Sequence, residues 1–97
     1  MTTPNELRVA VVGTGYFSQF HLQGWEQVAG ARVVALCDRD TARAKAARTH
    51  CNIDTVVADV NELALRNEID LFDVIVPPAA QSNVLSALLP LGKPVIC

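Results

Sequence analysis

The sequence predicts an α/β fold in which about five parallel strands form a sheet with helices on both faces. Apolar runs of strand length alternate along the chain with amphipathic stretches, which is the order of β-α-β units. The runs are rich in β-branched residues and continuous, as in strands that are covered on both faces. With 97 residues the chain is long enough for one core only. We therefore treat residues 1–97 as a single three-layer domain.

The elements follow one another without a repeat or a linker. Apolar runs predict strands over residues 8–12, 32–37, 55–58, 71–76 and from 94 onward. Amphipathic spacing predicts helices over residues 16–28, 41–50, 59–67 and 80–89. Asp59 and Glu62 resemble a capping box at the start of the third helix. Pro77 and Pro78 are expected to stop the fourth strand, because neither proline can donate to a sheet ladder.

The first helix is predicted to pack one apolar stripe against the sheet. Helical spacing assigns to that stripe Phe17, either Phe20 or His21, Gly24 and Val28. Leu22 and Trp25 are predicted to lie off the stripe. His21 lies beside the stripe and is expected to be a packed, hydrogen-bonded histidine rather than a catalyst.

We expect the polar residues of the second helix and the fourth strand to have structural roles. In the second helix, Ala44, Ala47 and Cys51 form the apolar stripe, while three cations are expected to face water: Arg43, Lys45 and Arg48. His50 carries no functional signal. Asp73 interrupts the fourth strand, where a buried carboxylate must be paired, hydrogen-bonded or neutral. We expect it to accept hydrogen bonds rather than to catalyse.

Composition and charge exclude several classes of protein. Ten acidic residues and 8 basic residues are spread along the chain with no basic stripe, so we expect no nucleic-acid partner. No apolar run approaches the roughly 18 residues of a membrane span, and the polar start lacks the layout of a signal peptide. A cytoplasmic location without membrane contact is therefore expected. The 3 cysteines have no metal-site or disulfide spacing and are expected to be reduced, with no metal bound.

The turn between the first strand and the first helix contains a motif that indicates a ligand-binding function. Residues 13–18 have the G-x-G-x-x-small spacing of a dinucleotide-binding fingerprint: Gly13, Thr14, Gly15, Tyr16, Phe17 and Ser18. Gly13 permits the tight turn, Gly15 leaves no Cβ between the backbone and a pyrophosphate, and Ser18 lets the helix approach the strand. The N–H groups and dipole of the helix start favour phosphate. The sequence therefore predicts a Rossmann-type sheet that binds a dinucleotide.

An acid follows the second strand where such folds bind the adenosine ribose. Asp38 comes about 20 residues after the second glycine, the separation expected of a carboxylate that binds the ribose hydroxyls. Its charge favours NAD over NADP. Arg39 keeps NADP as an alternative, because a guanidinium can stack on adenine or pair with a 2′-phosphate. The structural alternative for Asp38 is a solvated turn acid or a helix cap.

The end of the fourth strand supplies the remaining candidates. Pro77 and Pro78 lie at the carboxyl edge of the sheet, where open α/β sheets bind their ligands. Strand termination explains the two prolines equally well. Gln81 in the following helix is a candidate polar group near the nicotinamide, or else an ordinary surface residue.

Together these segments resemble the amino-terminal half of the Gfo/Idh/MocA oxidoreductases, the family of glucose-fructose oxidoreductase and inositol dehydrogenase. The resemblance runs from Arg8 to Cys97 and rests on the fingerprint with His21 and on residues 34–39, 73–78 and 91–97. It implies that Val76, Pro77 and Pro78 form part of the nicotinamide pocket. Many members have Thr in place of Val76 and His in place of Gln81, so the fine cofactor contacts here are expected to differ.

The resemblance implies an NAD(P)-dependent oxidoreductase that acts on a sugar, cyclitol or similar hydroxyl-bearing substrate. Members continue into a Glu-Lys-Pro triplet, whose lysine supports proton transfer, and then into a substrate domain. This chain ends before that triplet, so we expect a truncated cofactor-binding domain, incomplete at its C-terminal end, with no catalytic residue of its own. Lys93 is expected to be a surface residue.

An exposed sheet edge favours pairing with a second copy of the chain, so a homo-oligomer is one expected form. A nucleotide-sensing regulatory protein with the same fold and no catalysis is the main alternative function. An S-adenosylmethionine-binding domain ranks below it, because the segments around Pro77 and Lys93 fit it poorly.

Overall fold

The computed structural model describes residues 6–48, 52, 53 and 55–97. Its strands are β1 (Leu7–Val12), β2 (Ala31–Cys37), β3 (Thr55–Val57), β4 (Leu71–Val74) and β5 (Val95–Ile96). Its α-helices are α1 (Ser18–Glu26), α2 (Thr41–Arg48), α3 (Val60–Ala64) and α4 (Pro78–Leu88), and a short 3₁₀ turn follows over Leu89–Leu91. None of the helices in this part of the chain is long and apolar enough to cross a membrane. The predictions for His50 and Cys51 lie outside the described residues.

All strand pairs in the sheet are parallel, and the strand order is β3-β2-β1-β4-β5. The chain therefore starts in the middle of the sheet, extends to one edge through β3 and returns past β1 to build the other side. This arrangement confirms the predicted parallel, five-stranded α/β sheet of the Rossmann type. It also places the carboxyl ends of β1, β2 and β4 side by side, because β1 pairs with both neighbours.

The sheet separates two apolar cores. Successive strand residues point to opposite faces, so β1 contributes Val9 and Val11 to one core and Ala10 and Val12 to the other. The first core also contains Leu22 of α1 and Ala47 of α2. The second is built around Phe72 with side chains from the other two helices, Leu63, Val84 and Leu88. Helices cover both faces of the sheet, as predicted for a three-layer fold.

The predicted sheet-facing stripe of α1 is wrong. Phe17, Phe20 and Val28 are exposed, whereas the buried positions of the helix are Ser18 and Leu22, with Trp25 partly buried against the same core. Positions 18, 22 and 25 follow i, i+4, i+7 spacing, so the helix is amphipathic but rotated from the predicted phase. Ser18 is the first buried position of the helix, and its hydroxyl donates to the Gly15 carbonyl in the preceding turn.

Element boundaries shift where prolines and caps intervene. β4 ends at Val74 rather than at residue 76, and α4 begins at Pro78 rather than at residue 80. Proline is well suited to the first helical position, since its fixed φ is helical and it needs no hydrogen-bond partner for an N–H. Asp59 caps α3 as predicted, with its carboxylate accepting from the Asn61 N–H at 2.9 Å. The helix itself is shorter than predicted and ends at Ala64.

Candidate functional site

Three chain segments leave the sheet next to one another at its carboxyl edge. Val12, the last residue of β1, pairs with Cys37 of β2 on one side and with Val74 of β4 on the other. The Gly13 N–H continues this pairing by donating to the Cys37 carbonyl at 2.8 Å. The fingerprint turn, the residue after β2 and the residues after β4 are thereby brought to one place.

Gly13 is required by the close approach of the β4 exit. Its φ is +100°, and a Cβ built on it would lie 2.2 Å from the Ile75 carbonyl oxygen. No side chain fits there, because the obstacle is backbone rather than a flexible side chain. The same Cβ would lie 3.1 Å from Cγ1 of Val76, so Val76 is a direct neighbour of the turn.

Gly15 differs from Gly13, because a Cβ built on it would meet no atom within 4 Å. Gly15 also lines a groove of about 610 Å³ that begins at the turn and runs between α1 and α2. The protein itself therefore does not need a glycine here, whereas a ligand lying against the turn would. An open position of this kind fits the predicted role of Gly15 beside a pyrophosphate.

Ser18 joins the turn to α1. Its hydroxyl donates to the Gly15 carbonyl at 2.6 Å, and the residue is buried. The residue before it, Phe17, occupies the N-cap position and supplies no side-chain cap to the helix. The N–H groups of Ser18 and Phe20 donate to the Gly15 and Phe17 carbonyls at 3.1 and 3.2 Å, so the helix start is closed by backbone bonds and the positive end of its dipole faces the turn.

Asp38 is bound to the turn by two short hydrogen bonds. Its Oδ2 accepts from the Thr14 N–H at 2.8 Å and from the Thr14 hydroxyl at 2.6 Å, and its Oδ1 accepts from the Asp40 N–H at 2.9 Å. Burial alone raises the pKa of Asp38, but these bonds and one from Arg43 outweigh it and hold the pKa below its usual value. The acid predicted to bind ribose is thus ionised and fixed against the fingerprint turn.

Arg43 is the site residue that the sequence interpretation missed, since it was predicted to face water. It donates to Oδ2 of Asp38 through Nη2 at 2.8 Å and through Nε at 3.2 Å. One signal could have drawn attention to it. A cation in the first turn of a helix opposes the helix dipole, which indicates a nearby carboxylate that compensates for it. Arg39, the predicted alternative, is exposed.

The candidates after β4 adopt a well-defined local structure. Pro77 precedes α4 with extended ψ, and Pro78 takes its first position. Gln81 donates its side-chain amide to the Val76 carbonyl at 3.5 Å, a long hydrogen bond. Strand termination by the two prolines is therefore part of the fold, and their contact with a nicotinamide stays a prediction. Lys93 is half-buried rather than fully on the surface, with Nζ 2.6 Å from the Ile69 carbonyl oxygen.

Exposed aromatic rings flank the turn. Tyr16 packs edge-on against Phe17 and against Phe20, with ring centroids 5.4 and 5.5 Å apart. These three side chains lie at the start of α1, so the predicted fingerprint residues Tyr16 and Phe17 are on the surface beside the groove and not in the core.

A second polar cluster joins α1 to β4 beneath the surface. Asp73 is buried, and its Oδ2 lies 2.8 Å from Nδ1 of His21 and 2.9 Å from Nε1 of Trp25. The prediction that Asp73 accepts hydrogen bonds is confirmed, and the bonds link it to α1. His21 is hydrogen-bonded as predicted, but its side chain is 42% exposed rather than packed. The prediction that Trp25 lies off the sheet-facing stripe is wrong, because Trp25 packs on the core and its indole N–H reaches this carboxylate.

Comparison with known proteins identifies the family. Residues 7–97 match the family model GFO_IDH_MocA, which describes the NAD-binding Rossmann fold of an oxidoreductase family. The chain belongs to the Gfo/Idh/MocA family. Its resemblance to these proteins, suggested by the fingerprint and the segments around Asp38 and Pro77, is therefore confirmed.

Individual relatives in the Gfo/Idh/MocA family show how much of a whole protein the chain represents. It is 39% identical to an inositol 2-dehydrogenase/D-chiro-inositol 3-dehydrogenase of Shouchella clausii, over 94% of this chain and 27% of the relative. It is 29% identical to a D-apiose dehydrogenase of Paraburkholderia graminis, over 99% of this chain and 26% of the relative. The chain thus spans about a quarter of the length of these curated relatives.

A solved structure supports the same assignment. An oxidoreductase of Agrobacterium radiobacter, crystallised with NAD+, L-tartaric acid and magnesium, superposes with a TM-score of 0.90 at 27% identity. The match covers 95% of this chain and 27% of that one. The five-stranded parallel sheet is therefore the NAD-binding Rossmann fold of the Gfo/Idh/MocA family, and Gly15, Asp38 and the start of α1 provide features suited to a dinucleotide.

Proposed function

We propose that this chain binds NAD at the carboxyl edge of its sheet and forms the cofactor-binding part of an oxidoreductase. The substrate class we propose is a sugar, a cyclitol or a similar hydroxyl-bearing compound, in keeping with the inositol and apiose dehydrogenases among its relatives. The observation that carries the proposal is the fixed arrangement of the fingerprint turn and Asp38, linked through Thr14 at 2.6 and 2.8 Å.

Each part of this edge has a distinct task in cofactor binding. The open face of Gly15 and the start of α1 would hold the pyrophosphate, with backbone N–H groups donating to its oxygens. Asp38 would accept hydrogen bonds from the ribose hydroxyls, because Thr14 and Asp40 keep its carboxylate ionised and in place. Hydride transfer is the chemistry that a nicotinamide cofactor supplies when bound.

The exit of β4 is proposed to border the nicotinamide. Val76 lies against the fingerprint turn, and Pro77 and Pro78 fix the direction in which the chain leaves the sheet. Gln81 stays close to Val76 through its amide and would present a polar group at that end of the site. Tyr16 and Phe17 would cover the pyrophosphate side with aromatic surface.

The test of NAD binding is a substitution at Gly15, which touches nothing in the protein itself. We expect Gly15→Val to weaken NAD binding at least about tenfold, the loss of one or two charge-assisted hydrogen bonds to phosphate. Isothermal titration calorimetry with NAD+ measures the affinity, and circular dichroism checks that the fold is retained.

Gly24→Val is the matched control, because Gly24 also has no atom within 4 Å of a built Cβ but lies inside α1, away from the turn. It should bind NAD+ as the unsubstituted chain does. Equal affinity of the Gly15 variant and the unsubstituted chain would contradict the placement of the pyrophosphate.

A further inference from the structure

Arg43 and Asp38 form an ion pair at the point where the adenosine ribose is proposed to bind. The guanidinium donates to Oδ2 of Asp38 through Nη2 at 2.8 Å and through Nε at 3.2 Å. The Arg43 side chain is 52% exposed, whereas that of Asp38 is 7% exposed. Arg43 also lines the groove that begins at Gly15. The guanidinium therefore lies on the solvent side of the carboxylate.

The two oxygens of Asp38 differ in how many donors they already bind. Oδ2 accepts from the Thr14 N–H, from the Thr14 hydroxyl and from two nitrogens of Arg43. Oδ1 accepts from the Asp40 N–H. A carboxylate oxygen offers about two lone-pair directions, so Oδ2 has no room for another donor. Because Thr14 is buried and Arg43 is half-exposed, Arg43 is the donor that a ribose hydroxyl would have to displace from Oδ2.

The ion pair is weak enough to be displaced and is held where it forms again. Water replaces the carboxylate when a half-exposed guanidinium moves away, and exposed ion pairs change an equilibrium constant about fivefold at most. The backbone of Arg43 is fixed at the start of α2, where its N–H donates to Oδ1 of Asp40 at 3.1 Å. The side chain can therefore leave Asp38 and return to it while the helix stays in place.

We propose that Arg43 inhibits the dinucleotide site of the ligand-free chain, because its guanidinium occupies the carboxylate oxygen that a ribose hydroxyl needs. Binding of the ribose replaces the two bonds from Arg43 with bonds from hydroxyls. The affinity is therefore lower than it would be without the cation, and salt raises it by screening the ion pair. The inference rests on the proposed function, in which Asp38 binds the ribose.

Adenosine is the probe that isolates this effect, because it carries the ribose hydroxyls but neither phosphate nor charge. Its affinity for the full chain is measured by a chemical-shift titration in nuclear magnetic resonance. We expect Arg43→Ala to bind adenosine about three- to fivefold more tightly than the unsubstituted chain at low salt. Raising NaCl from about 0.01 M to about 1 M should tighten adenosine binding to the unsubstituted chain and leave that of Arg43→Ala unchanged.

Two further variants separate the ion pair from charge and from bulk. Lys45→Ala removes a positive charge from an exposed position of the same helix and should change neither the affinity for adenosine nor its salt dependence. Arg43→Met keeps a long side chain without the charge and should behave like Arg43→Ala. Isothermal titration calorimetry with NAD+ should rank Arg43→Ala above Lys45→Ala, which has lost the same charge. Circular dichroism checks that each variant is folded.

Three outcomes would overturn the proposal. In the first, Arg43→Ala binds adenosine no more tightly than the unsubstituted chain. In the second, salt does not raise the affinity of the unsubstituted chain, and in the third, Arg43→Met behaves like the unsubstituted chain. Failure of the proposed function looks different, because neither adenosine nor NAD+ would then bind to any variant, with or without Arg43. That result would refute this inference as well.

Discussion

Asp38 is the residue in which burial and hydrogen bonding act against each other. Burial favours its neutral form, yet donors from Thr14, Asp40 and Arg43 surround the carboxylate and lower its pKa below the usual value near 3.9. The donors around Asp38 therefore stabilise its ionised form. A protonated Asp38 could accept from fewer of these donors and would leave part of the turn without a partner.

Low pH should therefore lower the free energy of unfolding, because it protonates Asp38. Because the folded-state pKa is lower than that of the unfolded chain, the contribution of Asp38 to stability is complete above the unfolded value of about 3.9 and is lost as the pH falls through the folded value. Urea unfolding of the unsubstituted chain and of Asp38→Asn between pH 7 and pH 2 measures the difference. That difference should shrink below about pH 4, and a constant difference would contradict the lowered pKa.

The sequence predicted Asp38 but not its partner, for a physical reason. The position of an acid after a buried strand is fixed by the register of the sheet, so Asp38 could be placed from spacing alone. Arg43 lies on a helix, where its direction depends on the phase of α2 and on a flexible side chain with several rotamers. Helical spacing assigned it to the solvent side, and its reach back to Asp38 appears only in three dimensions.

Helix α1 is attached to the sheet by polar as well as apolar contacts. Leu22 and Trp25 pack on the core while His21 and the indole N–H of Trp25 both contact Oδ2 of Asp73. The helix has no cap of its own, with no side-chain hydrogen bond at Phe17. Its position is therefore set mainly by its packing against β2 and by its hydrogen bonds to Asp73 of β4, and with it the direction in which its N-terminus points.

Removing the acceptor should destabilise the domain. We expect Asp73→Ala to lower the free energy of unfolding by about 1–3 kcal/mol, because the Trp25 N–H loses its partner in a half-buried position. Asp73→Asn keeps an oxygen that can accept from both donors and should cost less. Urea denaturation followed by circular dichroism compares the two, and an equal loss in both would show that the charge, not the hydrogen bonding, matters.

The phase of α1 shows the limit of pattern-based prediction for an element. Helical spacing suggested the buried stripe, yet all of its predicted members are exposed: Phe17, Phe20 or His21, Gly24 and Val28. Ser18 is buried instead, with its hydroxyl donating to the Gly15 carbonyl. Hydrophobicity ranks serine low among core residues, so the observed rotation could not be predicted from hydrophobicity alone.

At the scale of the whole molecule, alternation of apolar runs and helices was enough to predict the sheet. The strands are buried on both faces, and such strands are continuous in sequence, so their number and parallel direction followed from the pattern. Their ends shifted by one or two residues because prolines and the strand register, not hydrophobicity, end a strand. The convergence of Gly13, Asp38 and Val76 was also predictable, because parallel strands end at one edge.

Cys37 reports on opening of the whole sheet. Burial, followed by the charge of Asp38, raises the pKa of its thiol to about 12, so at pH 8 only about one thiol in ten thousand is ionised. In a Cys51→Ser variant treated with iodoacetamide, the exposed Cys97 should be labelled quickly. Labelling of Cys37 should follow the unfolded fraction in urea, as site-resolved mass spectrometry measures it.

Rapid labelling of Cys37 without urea would show that β2 separates from α3 and α4 while the rest of the domain stays folded. In the structure β2 is covered by β1 and β3 on its sides and by the core around Phe72 on this face. Local opening would have to break those contacts together, so we expect one cooperative transition.

The fluorescence of Trp25 can be used to monitor the folding of this domain. It is the only tryptophan in the 97 residues, and its ring both packs on the core and donates to a buried carboxylate. Indole emission is sensitive to the polarity and charge around the ring, so its wavelength will register whether α1 is seated on the sheet. Separation of α1 from the sheet during unfolding can then be followed by fluorescence without an added dye.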